Sequence, residues 1–173
     1  MILLHGEKVN LRALEPEDLY FLYTTENDTN FWQVSNTQVP FSKFVLKQYL
    51  ENAHQDIFTA KQLRLIIEKN SRSIGTIDLF DFDPTHQRAA VGIWIADQGE
   101  RQKGYAREAL KILIDYAFKQ LQLKQIYCNI SSINKASINL FSGLDFILVG
   151  VKKDWNKTQE GWEDELLFQR LCD

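Results

Sequence analysis

At 173 residues, 45% hydrophobic and 25% charged, the chain has the length and balance of one globular domain spanning 1–173, with room for a sizeable core. Its formal charge of −3 argues against a nucleic-acid binder working through a basic face and suits an amine or polyamine partner better. Cys128 and Cys172 are too few for a disulfide scaffold and His5, His54 and His86 form no ligand spacing, so the expectation is inert thiols, no metal and a cytoplasmic setting.

Met1-Ile2-Leu3-Leu4 turns polar at His5 too soon for a secretory leader, and no run approaches the ~18 apolar residues of a span, so no membrane role is expected. Residues 8 to 14 alternate polar and apolar side chains as a half-buried strand does. Pro16, followed by Glu17 and Asp18, opens a helix with the stripe Leu19, Leu22 and Tyr23. Asn27 to Pro40 reads as an irregular loop, where Phe31, Trp32 and Phe41 either line a substrate mouth or pack. Ser42 is an N-cap type and predicts a second helix to about His54.

Three strands are predicted at 62–69, 73–82 and 88–97, joined by turn clusters into an antiparallel meander. A helix follows from about 104 to 120, its buried stripe running from Ala109 and Leu110 to Leu121. A strand near 124–130, a short helix near 135–143 and strands near 146–154 and 163–171 complete the chain. The sum is an α+β fold of about seven strands and about four helices, without internal repeats.

Between the third strand of the meander and the long helix stands Arg101-Gln102-Lys103-Gly104-Tyr105-Ala106. The first N–H groups of a helix lack intrahelical partners and carry the positive end of its dipole, so an anion docks where they converge. Gly104 carries no side chain to block that approach, and Arg101 and Lys103 add positive charge. A plain structural turn is the alternative.

Three local features in this order resemble the GNAT superfamily of N-acetyltransferases across essentially the whole chain. Arg101-x-x-Gly104-x-Ala106 matches that family's acetyl-CoA turn, Q/R-x-x-G-x-G/A. Ala90-Val91-Gly92-Ile93-Trp94-Ile95 is similar to the preceding strand of the branch that acetylates ribosomal-protein N-termini and polyamines, and Asn134-Lys135-Ala136-Ser137 with Leu140-Phe141 resembles its later N-x-x-S…L-Y segment. The resemblance implies a GNAT-like, mixed, mostly antiparallel sheet with acetyl-CoA as cosubstrate. Arg101, Gln102, Lys103, Gly104, Tyr105, Ala106 and Arg107 would hold the diphosphate. Ile95 and Ala96 would offer main-chain groups to the peptide-like pantetheine arm, in a slot left where the sheet splays. Asn134, Ser137 and Phe141 would lie along that arm, with Asn134 serving equally well as a helix cap.

The departures fall on catalysis. Phe141 stands where relatives commonly carry a Tyr that protonates the departing thiolate, Ala90 stands where they often carry Glu, and Gly143-Leu144-Asp145-Phe146 replaces Lys-x-Gly-Phe. The stretch Asp97-Gln98-Gly99-Glu100 is about one residue longer than usual. An alkylammonium of pKa ~10.4 is only about one part in 10³ neutral at pH 7, whereas a thiol of pKa ~8.5 is a tolerable leaving group, so the missing hydroxyl is the smaller obstacle. Asp78, facing opposite to Ile77, Leu79 and Asp81, is the candidate to orient the amine or relay its proton; otherwise it is a solvated carboxylate. Glu160, Glu163, Asp164 and Glu165 around Trp162 either attract a cationic substrate or line a solvated strand edge. The expected function is transfer of an acetyl group to a primary amine, a small polyamine-like molecule or a protein N-terminus. A catalytically quiet CoA-binding regulatory module is the alternative. An exposed strand near the C-terminus makes a homodimer an expected assembly.

Overall fold

The computed structural model describes residues 4 to 172. Met1 to Leu3 and Asp173, the ends of the 1–173 expectation and most of the apolar start, lie outside the described residues. Seven strands form one sheet in the order β1-β2-β3-β4-β5-β7-β6: β1 Asn10–Arg12, β2 Leu63–Lys69, β3 Arg72–Asp83, β4 Arg88–Ile95, β5 Gln125–Ser131, β6 Ile147–Thr158 and β7 Gly161–Leu171. Every pairing is antiparallel except β4 with β5, which sit side by side because the helix α5, Tyr105–Lys119, carries the chain back across the sheet.

The strand alternation sorts the sheet into two faces. Leu65, Ile77 and Ile93 stand in one row, and Leu65 and Ile77 share a core with Leu110, Leu113 and Ala117 of α5. Arg64, Asp78 and Gly92 stand in the neighbouring row on the opposite face. That face is covered by α1 Leu19–Glu26, α2 Thr29–Ser35 and α3 Lys43–Glu51, as the Glu26–Arg64 ion pair, the Phe31–Trp94 ring contact and Tyr49 against Arg64 demonstrate. Ser42 caps α3 by accepting the N–H of Val45 at 3.1 Å, as its residue type foretells.

Among the described residues there are six α-helices and two 3-10 turns rather than about four helices. The stretch expected as a loop holds α2, whose polar sequence hides its period; Asp28 starts it by accepting the N–H of Asn30, and Asn36 ends it in the left-handed conformation. The helix α4, Ile57–Ala60, is four residues long and shows no period at all. The helix α6, Lys135–Ser142, lies close to its predicted span. Among the described residues no helix is long and apolar enough to cross a membrane.

Candidate active site

The two parallel strands part company early. Arg88, Ala89 and Ala90 of β4 pair with Gln125, Ile126 and Tyr127 of β5, and beyond them β5 continues against β7 alone. Val91 to Ile95 therefore pair on one side with β3 and border an open gap on the other. Alternation decides which main-chain groups face it. Gln87, at the start of this parity, accepts the N–H groups of Lys124 and Gln125 on the β5 side. Ile95 lies on the same parity, and its carbonyl accepts from Arg101 Nε at 3.0 Å rather than from β3. Ala96 lies on the other parity, and its N–H donates to Ile74 at 2.9 Å. Of the expected pair, Ile95 can serve a peptide-like arm in the gap, and Ala96 spends its N–H on β3.

At the end of this gap α5 begins. Gly104, with φ at +86°, is its N-cap, and the first bond of the helix runs from the Glu108 N–H to the Gly104 carbonyl. Among the described residues, the N–H groups of Gln102, Lys103, Gly104, Tyr105, Ala106 and Arg107 have no backbone or side-chain acceptor. Six open donors at a helix dipole's positive end form a cup for an anion, and a Cβ at Gly104 would be strained in that conformation. Arg101 contributes no N–H to the cup, because its own donates to Gln98 at 3.2 Å. The stretch before the turn forms a 3-10 turn, Gln98–Glu100, capped by Asp97 accepting the Gly99 N–H at 2.8 Å.

On the opposite face, Asp78 is not solvated. Arg64 donates to it from Nε at 2.7 Å and from Nη2 at 3.0 Å, while its Nη1 binds Glu26. Two carboxylates thus share one guanidinium in a site where Glu26 is 6% exposed, leaving a residual negative charge. Burial there also pushes the Tyr49 hydroxyl upward, with Arg64 opposing. Phe31 is buried against Trp94 with ring centroids 5.1 Å apart, and Trp32 donates its indole N–H to the Glu26 carbonyl at 2.6 Å. Trp32 is thereby tied to the backbone of Glu26, and Phe31 is held by packing on Trp94.

Other expected site residues are held by contacts of their own. Phe141 is 3% exposed and meets Phe146 edge-on at 5.0 Å, so its ring is packed into the core. Asn134 caps α6, its side-chain oxygen accepting the Ser137 N–H at 3.1 Å. Three of the four acidic residues are engaged locally: Glu163 accepts from Ser131 of β5, while Asp164 pairs with Lys153 and Glu165 with Lys152 of β6. Lys153 accordingly holds the Asp164 carboxyl below its usual range. Cys128 is buried, its thiol pushed up to about 12 by loss of water, which makes it inert.

Arg64 and Glu26 were not singled out by sequence pattern. The hairpin turn alone does not reveal Arg64: continued from Lys69 and Arg72 the register would pair it with Ile77, and the bulge between Ile67 and Glu68 brings it opposite Asp78 instead. Glu26, at the end of a helix in another part of the chain, gives no signal either.

A family model described as an acetyltransferase (GNAT) domain matches residues 8–147, and the chain belongs to that family. Spermidine N(1)-acetyltransferase of Escherichia coli (strain K12) is 28% identical over 84% of this chain and 76% of its own length. The enzyme of the same name from Vibrio cholerae is 29% identical over 84% of this chain and 82% of its own. A crystal structure of spermidine N-acetyltransferase from Vibrio cholerae in complex with CoA and spermine superposes with a TM-score of 0.85 at 25% identity, covering 96% of each chain. The protein is thus an N-acetyltransferase that uses acetyl-CoA, and the quiet CoA-binding module is not favoured. Acetyl-CoA supplies an acyl group activated as a thioester; the open donors at 102–107 and the gap beside Ile95 fit its diphosphate and peptide-like arm.

Proposed function

We propose that the chain acetylates a primary amine of the polyamine class. Gln102 to Arg107 would hold the diphosphate by their main-chain donors, and Ile95 would pair with the pantetheine arm once Arg101 yields the carbonyl. The observation that carries this assignment is the parting of β4 and β5 after Ala90 and Tyr127, with the cup at its open end. The residual negative charge shared by Glu26 and Asp78 would draw and orient an ammonium group, with Phe31 and Trp32 walling the approach. Asp78 would act by orientation, since each of its oxygens already accepts from Arg64. Phe141 offers no proton, so the thiolate would leave unassisted, which its pKa of ~8.5 permits. The polyamine relatives and the acidic balance of the chain favour the polyamine over a peptide N-terminus.

Thiol release from acetyl-CoA, followed with spermidine, spermine, an amino sugar and short peptides, tests this assignment. Polyamines should give the highest kcat/KM, and the value should climb roughly tenfold per pH unit between pH 7 and 9 as the neutral amine fraction grows. Turnover confined to peptides would overturn the polyamine assignment.

We also propose that two copies pair through β6, an edge strand that exposes Ile147, Leu148, Val149, Val151 and Trp155. Light scattering on the chain and on Val151→Lys should give a dimer and a weakened dimer; a monomeric wild type would refute it.

A further inference from the structure

The cations that belong to the cup's own turn are directed away from it. Arg101 lies 4.5 Å from the Trp94 ring and donates to Ile95, and Lys103 shares Glu100 with Lys69. Arg107 reaches α6, where its Nη1 lies 2.8 Å from the place a Cβ on Gly143 would take. The cation that does face the N-cap comes from the start of the chain. Lys8 Nζ lies 3.2 Å from where a Cβ on Gly104 would sit and 3.4 Å from the Lys103 carbonyl oxygen, and among the described residues it has no carboxylate partner.

Its position is built rather than incidental. Glu108, in the first turn of α5, accepts the main-chain N–H groups of Glu7 at 3.2 Å, Lys8 at 2.7 Å and Val9 at 2.7 Å. Three donors on one carboxylate fix the backbone on either side of Lys8 and leave only its side chain to move. Gly6 is needed for this approach, since a Cβ there would stand 2.6 Å from Glu108 Oε2.

We infer that Lys8 is a ligand of the coenzyme A diphosphate, delivered to the N-terminus of α5 by the Glu108 latch. This rests on the diphosphate occupying the amides of 102–107. A helix terminus offers about half a positive charge, whereas a diphosphate brings about two negative ones; an ammonium with donors to spare supplies most of the difference. Glu108 would otherwise repel the anion, and engaging its oxygens with three N–H groups moderates that repulsion.

Calorimetry of CoA and of dephospho-CoA, which lacks the 3′-phosphate, tests the inference on the full chain. Lys8→Ala should raise Kd about tenfold for both ligands and flatten its dependence on salt, while Lys8→Arg largely restores binding. Glu108→Gln, which loosens the latch without removing the cation, should give a smaller rise. In turnover the loss should fall on KM for acetyl-CoA rather than on kcat. Because Lys8 is exposed, the variant should melt like the wild type. Unaltered CoA affinity in Lys8→Ala beside a wild type that binds would overturn the role of Lys8 and leave the cup intact. A penalty seen with CoA and absent with dephospho-CoA would move the contact to the 3′-phosphate and equally overturn it. Failure of the wild type to bind CoA would remove the cup itself.

Discussion

At the start of α5 six consecutive main-chain donors stand open, whereas across the sheet Glu26, Arg64 and Asp78 occupy one another's charges. The first region is made of backbone and helix dipole, so it prescribes little beyond a conformation and the absence of a side chain at Gly104. The second is made of side chains from α1, β2 and β3, so every member depends on the others being present. Under the proposed roles, donor binding would rest chiefly on chain geometry and acceptor recognition on particular side chains.

The contrast is broken most forcefully at Arg64. Arg64→Ala leaves the buried Glu26 and the half-buried Asp78 without a counter-charge and should cost about 3 kcal/mol, visible as a large drop in the melting temperature. A melt close to that of the wild type would mean the cluster is not closed on itself. Gly104→Val probes the other half. A branched residue forced into a left-handed conformation stores about 1 to 3 kcal/mol of strain, and KM for acetyl-CoA should rise roughly 10- to 100-fold. Gln102→Ala changes a side chain and retains the N–H, so KM should stay within about twofold if backbone does the binding.

A smaller effect sharpens the same comparison at a second closed pair. Asp18 is 4% exposed and accepts from Arg12 at 2.8 and 2.9 Å and from the Glu15 N–H at 2.9 Å. Burial raises its carboxyl, but those donors prevail and hold it below its usual range. A depressed folded-state value gives stability that is complete above the unfolded pKa of ~3.9 and is lost as pH falls toward the folded value. Urea midpoints of wild type and Asp18→Asn should differ at pH 7 and converge as pH drops below about 4. Parallel curves across that range would remove Asp18 from the acid response.

The sheet was legible because its strands are long, alternating and separated by turn residues, and the α5 stripe stands out at helical period. The cup was legible for the same reason: a glycine between a strand and an amphipathic helix is a local signal. What escaped was set by distance along the chain. The short helices α2 and α4 have caps but no period, and Lys8 reaches Gly104 only because Glu108 binds a loop about a hundred residues away. The side chains of Arg101 and Lys103, adjacent to the cup in sequence, find better partners in Trp94 and Glu100. Sequence proximity could assign them to the turn but not foresee that competition.

The stacking of Arg101 on Trp94 ties occupancy of the gap to an optical property. A ligand that displaces Arg101 from the Ile95 carbonyl would shift the guanidinium over the indole, altering the polarity around one of four tryptophans. Emission from that ring becomes a built-in gauge of whether the sheet has accepted its visitor, readable by titration without any label.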